Sequence, residues 1–145
     1  MNGRTVLAAA VMAWAAMAGA AVAQPQRSAW DGVYTQAQAA RGAALYARHC
    51  VMCHRPGLGG DYETPPLTGV FLHAWAGADL ATLFDKVAVT MPLSRPGTLS
   101  PAENADIVAL MLQANGFPAG PAELASDPAR LKTIRLEVAR PARGR

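Results

Sequence analysis

The chain has 145 residues, 52% of them hydrophobic and 16% charged, with two cysteines. That is the length of one ordinary domain, and the composition excludes both a disulfide-dense secreted scaffold and a disordered polar tail. The formal charge of +3 is small, and no aromatic residue interleaves the basic ones near the C-terminus, so no nucleic-acid partner is expected.

Eighteen of the first 23 residues are hydrophobic. A single Arg4 precedes an apolar run from Val6 to Ala18 that is too short to span a bilayer. Ala21-Val22-Ala23 closes it with small residues two apart. This reads as a signal peptide, residues 1–23, cleaved after Ala23, with an uncleaved anchor as the alternative. The remaining 24–145 are about 47% hydrophobic, an ordinary globular share. Gln24, not a cysteine, stands immediately after the cleavage point, which argues against a lipid anchor.

After an N-terminal extension over 24–34, Thr35-Gln36-Ala37-Gln38 has the form of a capping box and predicts a helix over 36–49. Gly42 and Tyr46 share a face of it, and Gly42 leaves room for another helix to approach closely. The glycine- and proline-rich stretch 55–69 predicts a loop. From Asp79 to Thr90, Leu80, Leu83, Phe84 and Val87 draw one apolar helix face. Pro92 ends that helix and puts Met91 on extended chain. Ser100-Pro101-Ala102-Glu103 opens the next helix with a cap, a first-turn proline and a capping-box glutamate. Ile107, Leu110, Met111 and Ala114 share its face, Asn115-Gly116 stops it, and Pro118 prevents resumption. Asp127-Pro128 opens a short helix over 129–135. The extension 119–145 ends in a basic tail, Arg130, Lys132, Arg135, Arg140, Arg143 and Arg145 against Glu137. It reads as a solvated tail, or as a patch for an acidic partner or, peripherally, an anionic membrane surface.

Cys50-Val51-Met52-Cys53-His54 is the segment that carries chemistry. Two thiols three apart can each add to a haem vinyl group while the next residue presents imidazole to the iron, which is the c-type attachment pattern. Three other readings compete. A thioredoxin-like pair wants its first cysteine at a helix N-terminus after a strand, a structural zinc site wants four ligands, and a disulfide would close too small a ring to constrain much chain.

From about Ala39 to Gly116 the chain resembles the class I cytochromes c. Gly42 and Tyr46 match the helix before the haem motif, Pro65, Leu67 and Gly69 match a Pro-x-Leu-x-Gly segment after it, and Met91-Pro92 matches the methionine before the last helix. Trp30-Asp31-Gly32-Val33-Tyr34 and Arg95-Pro96-Gly97-Thr98-Leu99-Ser100 are most similar to small periplasmic cytochromes associated with quinoprotein dehydrogenases.

The resemblance implies an all-α class I cytochrome c fold over 35–118, with three to five helices around one haem c attached through Cys50 and Cys53. It implies His54 as proximal and Met91 as distal iron ligand. The residues agree on Met91, since Met1, Met12 and Met17 leave with the signal, Met52 lies inside the attachment loop, and Met111 sits among apolar neighbours. Pro65 is implied as the carbonyl that accepts from the His54 ring, or as a loop stiffener, and Leu67 as packing on the haem face. Trp75 is a candidate donor to a haem propionate or a core side chain, and Arg95 a propionate partner or a solvated residue. His49 and His73 read as surface or satisfied histidines.

The expected function is that of a periplasmic one-electron carrier without bond chemistry of its own. Its donor would be a dehydrogenase or respiratory complex, its acceptor an oxidase or another cytochrome, and its state a monomer or a complex subunit. The alternatives are a fixed subunit of a larger oxidoreductase, and a haem enzyme or gas sensor with an open sixth position.

Overall fold

A computed structural model describes residues 25–142, so the expected signal peptide lies outside the described residues. In chain order these form β1 (Arg27–Ser28), α1 (Gln36–His49), α2 (Val51–His54), α3 (Val70–Ala74), α4 (Leu80–Thr90), α5 (Pro101–Ala114), α6 (Pro128–Leu131) and β2 (Ile134–Arg135). The fold is all-α: three long helices supply the framework, three short ones join or brace them, and the two-residue strands pair in parallel. The helix beyond the expected three to five is α6, in the C-terminal extension.

The caps set the helix ends. Thr35 Oγ1 accepts from the Gln38 backbone N–H at 3.1 Å, but the other half of the expected box is absent. Gln38, 2% exposed, is turned inward instead: its Nε2 donates to the Leu124 carbonyl at 3.0 Å and its Oε1 accepts from the Leu124 N–H at 2.7 Å. Two backbone groups far away in sequence outbid one local amide. At α5 the box is complete, with the Ser100 N–H on Glu103 Oε2 at 2.8 Å and the Glu103 N–H on Ser100 Oγ at 3.3 Å. Asp79 caps α4 through the Thr82 N–H at 2.9 Å. The predicted face of Leu80, Leu83, Phe84 and Val87 is buried there.

Helix α5 is the central element, buried continuously from Asn104 to Leu112, with α1 and α4 packed against it. It meets α1 at Gly42, where an added Cβ would overlap the Asp106 carbonyl. Arg41 spans the same crossing with 2.9 Å contacts to Asp106 and Glu123, whose carboxylates hold its guanidinium charged, Asp106 first. Because that overlap is with backbone, Gly42→Ala is expected to lower stability by about 1–3 kcal/mol or more, read as a fall in the denaturant midpoint at constant slope.

The two ends of the described residues close over each other, and for residues 131–136 the structure corrects the reading of a solvated tail. Leu124, Leu131, Ile134 and Leu136 are buried. β1 pairs with β2, and Leu136 exchanges backbone hydrogen bonds of 2.8 Å with Gly77 and Ala78. Trp30 packs on Phe117 at 4.5 Å between ring centroids, and the Tyr34 hydroxyl donates to the Phe117 carbonyl at 2.7 Å. Gly120 passes so close to Gly32 that neither admits a side chain. The helix expected over 129–135 stops at Leu131 for the same reason: β-branched Thr133 and Ile134 lead into a strand whose partner lies at the opposite terminus. Among the described residues no helix is long and apolar enough to cross a membrane.

Candidate functional site

Helix α1 hands directly on to the motif. The Cys50 N–H still bonds the Tyr46 carbonyl at 2.9 Å, and the Cys50 carbonyl accepts from Cys53 at 3.2 Å and from His54 at 2.9 Å. One helical turn therefore sets the two cysteines three apart on one side and His54 beside them. Both thiols are free, Cys50 half-buried and Cys53 exposed. Burial first, and then the neighbouring Cys53, push the Cys50 thiol up. No group of three or more His, Cys, Asp or Glu side chains is gathered as a zinc site requires among the described residues.

The His54 ring is 9% exposed, with Nδ1 3.0 Å from the Pro65 carbonyl oxygen. A carbonyl can only accept, so Nδ1 carries the proton and the free lone pair sits on Nε2. A metal-binding imidazole needs that tautomer, and the carbonyl fixes the orientation of the ring.

The loop that brings Pro65 to His54 is held from several sides. Tyr46, read from sequence only as a helix-contact aromatic, also donates its hydroxyl to the Arg55 carbonyl at 2.6 Å. The Gly60 N–H bonds the His54 carbonyl at 2.8 Å. Gly60 has a φ of 63°, and a Cβ there would overlap the Thr64 carbonyl. Asp61 Oδ1 takes the backbone N–H groups of Glu63 at 3.0 Å and Thr64 at 2.9 Å, while Oδ2 takes Arg55 Nε at 2.7 Å.

Those donors, the Thr64 amide first and then the Arg55 guanidinium, hold the Asp61 carboxyl below its ordinary value of 3.8. A depressed carboxyl stabilises the fold above its ordinary value and loses that contribution as pH falls through the lower folded value. Asp61→Asn protein should therefore melt lower at neutral pH and show a shallower decline below pH 3.8, in thermal melts across the acid range.

Leu67 is half-buried, and its N–H donates to the Leu58 carbonyl at 2.8 Å. Its own carbonyl accepts from Asn115 Nδ2 at 2.8 Å, while Asn115 Oδ1 accepts from the Gly69 N–H at 3.0 Å. Asn115 thus clasps the Pro-x-Leu-x-Gly segment to the end of α5. The sequence marked it only as a helix stop, and no local pattern reveals the clasp.

Met91 caps α4 with extended backbone, φ −118° and ψ 152°, as Pro92 requires. It is half-buried, whereas Met52 is 82% exposed and Met111 is 3% exposed within the core. Trp75 packs on Phe71 at 5.9 Å. Cys50, Leu67, Phe71, Trp75, Met91 and Leu99 are together the partly buried apolar fringe of the core. Arg95 is not brought in: its side chain is exposed, and its hydrogen bonds are made by its backbone, the N–H donating to Pro92 O at 2.8 Å and the carbonyl accepting from Thr98 Oγ1 at 2.9 Å. His73 is exposed and His49 half-buried. Two free thiols, an imidazole with its lone pair on Nε2, a thioether and a half-buried apolar fringe form a donor set that fits haem.

The family model described as cytochrome c oxidase, cbb3-type, subunit III matches residues 37–111. The search of curated proteins found no match. Among solved structures, that of the sulfane dehydrogenase SoxCD from Paracoccus pantotrophus is similar over 93% of this chain and 67% of that one, with 23% identity and a TM-score of 0.49.

Proposed function

Since the chain belongs to the c-type cytochrome family described by the cbb3-type oxidase subunit III model, and so binds haem c covalently, we propose that it is an exported single-haem carrier. It takes one electron from a dehydrogenase or respiratory complex and passes it to an oxidase or another cytochrome. The observation that carries this reading is the His54 ring, fixed by the Pro65 carbonyl with Nε2 free, directly beside two free thiols.

Bound haem supplies the one-electron couple. Cys50 and Cys53 provide the two thioether sulfurs, and His54 Nε2 is the proximal nitrogen. Met91 would be the second protein ligand to the iron, and a soft thioether paired with imidazole favours ferrous iron and a raised potential. Leu67 and Trp75 shield the site, with the Trp75 indole as the candidate propionate donor, and the Arg95 side chain stays with solvent. Cys53, the more exposed of the two cysteines, marks the edge through which electrons pass to a transiently docked partner. Small, weak interfaces suit that exchange. Residues 1–23 direct export to the periplasm.

The test is the visible spectrum of protein made together with haem-maturation machinery. Sharp low-spin bands that survive denaturing extraction and hardly change when carbon monoxide is added to the reduced protein are expected. A high-spin spectrum would turn the reading to a haem enzyme or gas sensor, and absence of covalent haem would end it.

A further inference from the structure

The geometry points to a second site, unrelated to the haem motif, where the two ends of the described residues meet: a carboxylate-binding cleft that docks an acidic segment of a partner protein. The cleft measures about 590 Å³, and the charged side chains lining it are Arg27, Arg135, Arg140, Asp31 and Glu137, with Trp30 beside them.

Both acids are occupied by neutral donors. Asp31 Oδ2 accepts the Ser28 N–H at 2.8 Å, and Glu137 Oε2 accepts the Ser28 hydroxyl. Among the described residues none of the three guanidiniums takes part in an ion pair, since every such pair involves Arg41 or Arg55. Three cations against two anions leave one positive charge, which a single carboxylate balances and a phosphate dianion would overshoot. Guanidinium forks match a carboxylate in geometry.

The walls built by residues 27–30 and 135–137 are fixed by backbone pairing. Arg27 pairs with Ile134 and Ser28 with Arg135 across the parallel strands, and Arg135 also bridges Asp79. The Trp30 indole N–H is tied to the Glu137 carbonyl at 2.9 Å. Side chains on this frame therefore lose less freedom on binding than they would on a free tail.

Its position gives the cleft a use. Asp79 stands at the start of α4 and Met91 at its end, eleven helical residues apart, or about 16 Å at 1.5 Å per residue. A partner seated beside Arg135 would stand a helix length from Met91, so the cleft holds the protein while electrons exchange elsewhere. This use rests on the carrier reading; the binding does not.

The test is an NMR titration of the full, reduced holoprotein with a short polyglutamate peptide, following backbone amide and indole N–H signals. Saturable shifts at Trp30 and around Arg135 and Arg140 are expected. They should weaken about tenfold in Arg135→Gln/Arg140→Gln and fall steeply with salt, while the haem spectrum and potential stay unchanged. Arg140→Gln alone, at an exposed position, serves if the double variant does not fold. Shifts centred on Cys50–His54, no saturation, or an affinity untouched by the substitutions would overturn the proposal. So would retention on phosphatidylglycerol vesicles without peptide binding, which would make the cleft a membrane contact. Protein that binds peptide but takes up no haem would sink the carrier reading and leave the cleft standing.

Discussion

Cys50→Ala/Cys53→Ala protein should emerge from haem maturation with no covalently held haem and with a cooperative unfolding transition that is weakened or lost. Both effects have one origin. On the proposed function the two thiols are the anchoring atoms, and the half-buried side chains of Leu67, Phe71, Trp75, Met91 and Leu99 would complete their burial against the group those thiols hold. Fully burying a large apolar side chain is worth about 1.5–3 kcal/mol. Leaving several of them half-solvated removes a large part of a margin of roughly 5–15 kcal/mol. Covalent haem is read by denaturing extraction, and stability by far-ultraviolet circular dichroism against denaturant. The single variants separate the contributions: Cys53 is exposed and Cys50 half-buried, so Cys50→Ala should cost more packing while each loses one thioether. A double variant that retains haem through extraction would refute the assignment.

The long helices and the attachment motif were legible because their signals are local. Ser100 and Glu103 are three apart and cap α5 as that spacing demands, Pro92 ends α4 at Met91, and the glycine on α1 lies where α5 crosses it. The same locality explains what stayed hidden. Gln38 has the right spacing for a capping box and is spent on Leu124. Asn115 reads as a stop and acts as a clasp on Leu67 and Gly69. Leu131, Ile134 and Leu136 look too sparse among basic residues to define a core element. Their burial depends on a strand more than a hundred residues earlier in the chain, at Arg27–Ser28. Residues 131–136 of the basic tail are therefore not solvated chain, because tertiary pairing, not periodicity, decides their fate.

Met91→Leu is expected to leave the fold standing while changing the electronic behaviour of the site. Leucine nearly conserves the volume of methionine, and such a swap usually costs less than about 1.5 kcal/mol. The segment beyond it is independently held: Thr98 Oγ1 donates to the Arg95 carbonyl at 2.9 Å, and the buried Asn104 amide donates to the Leu99 and Ser100 carbonyls at 3.2 and 3.1 Å. Of the methionines among the described residues, Met52 is exposed and Met111 lies inside the core, which leaves the half-buried Met91 thioether as the candidate ligand. With Met91 as the proposed iron ligand, its loss would open a coordination position, so the reduced protein should bind carbon monoxide readily. It also removes the preference for ferrous iron, so the potential should fall by on the order of 0.1 V, a fraction of the roughly 0.8 V that axial ligands span. Spectroelectrochemistry and a carbon monoxide difference spectrum read the two effects separately. Neither effect follows from a packing role, because a gap-filling methionine replaced by leucine would alter a melting curve and leave both optical measurements where they were.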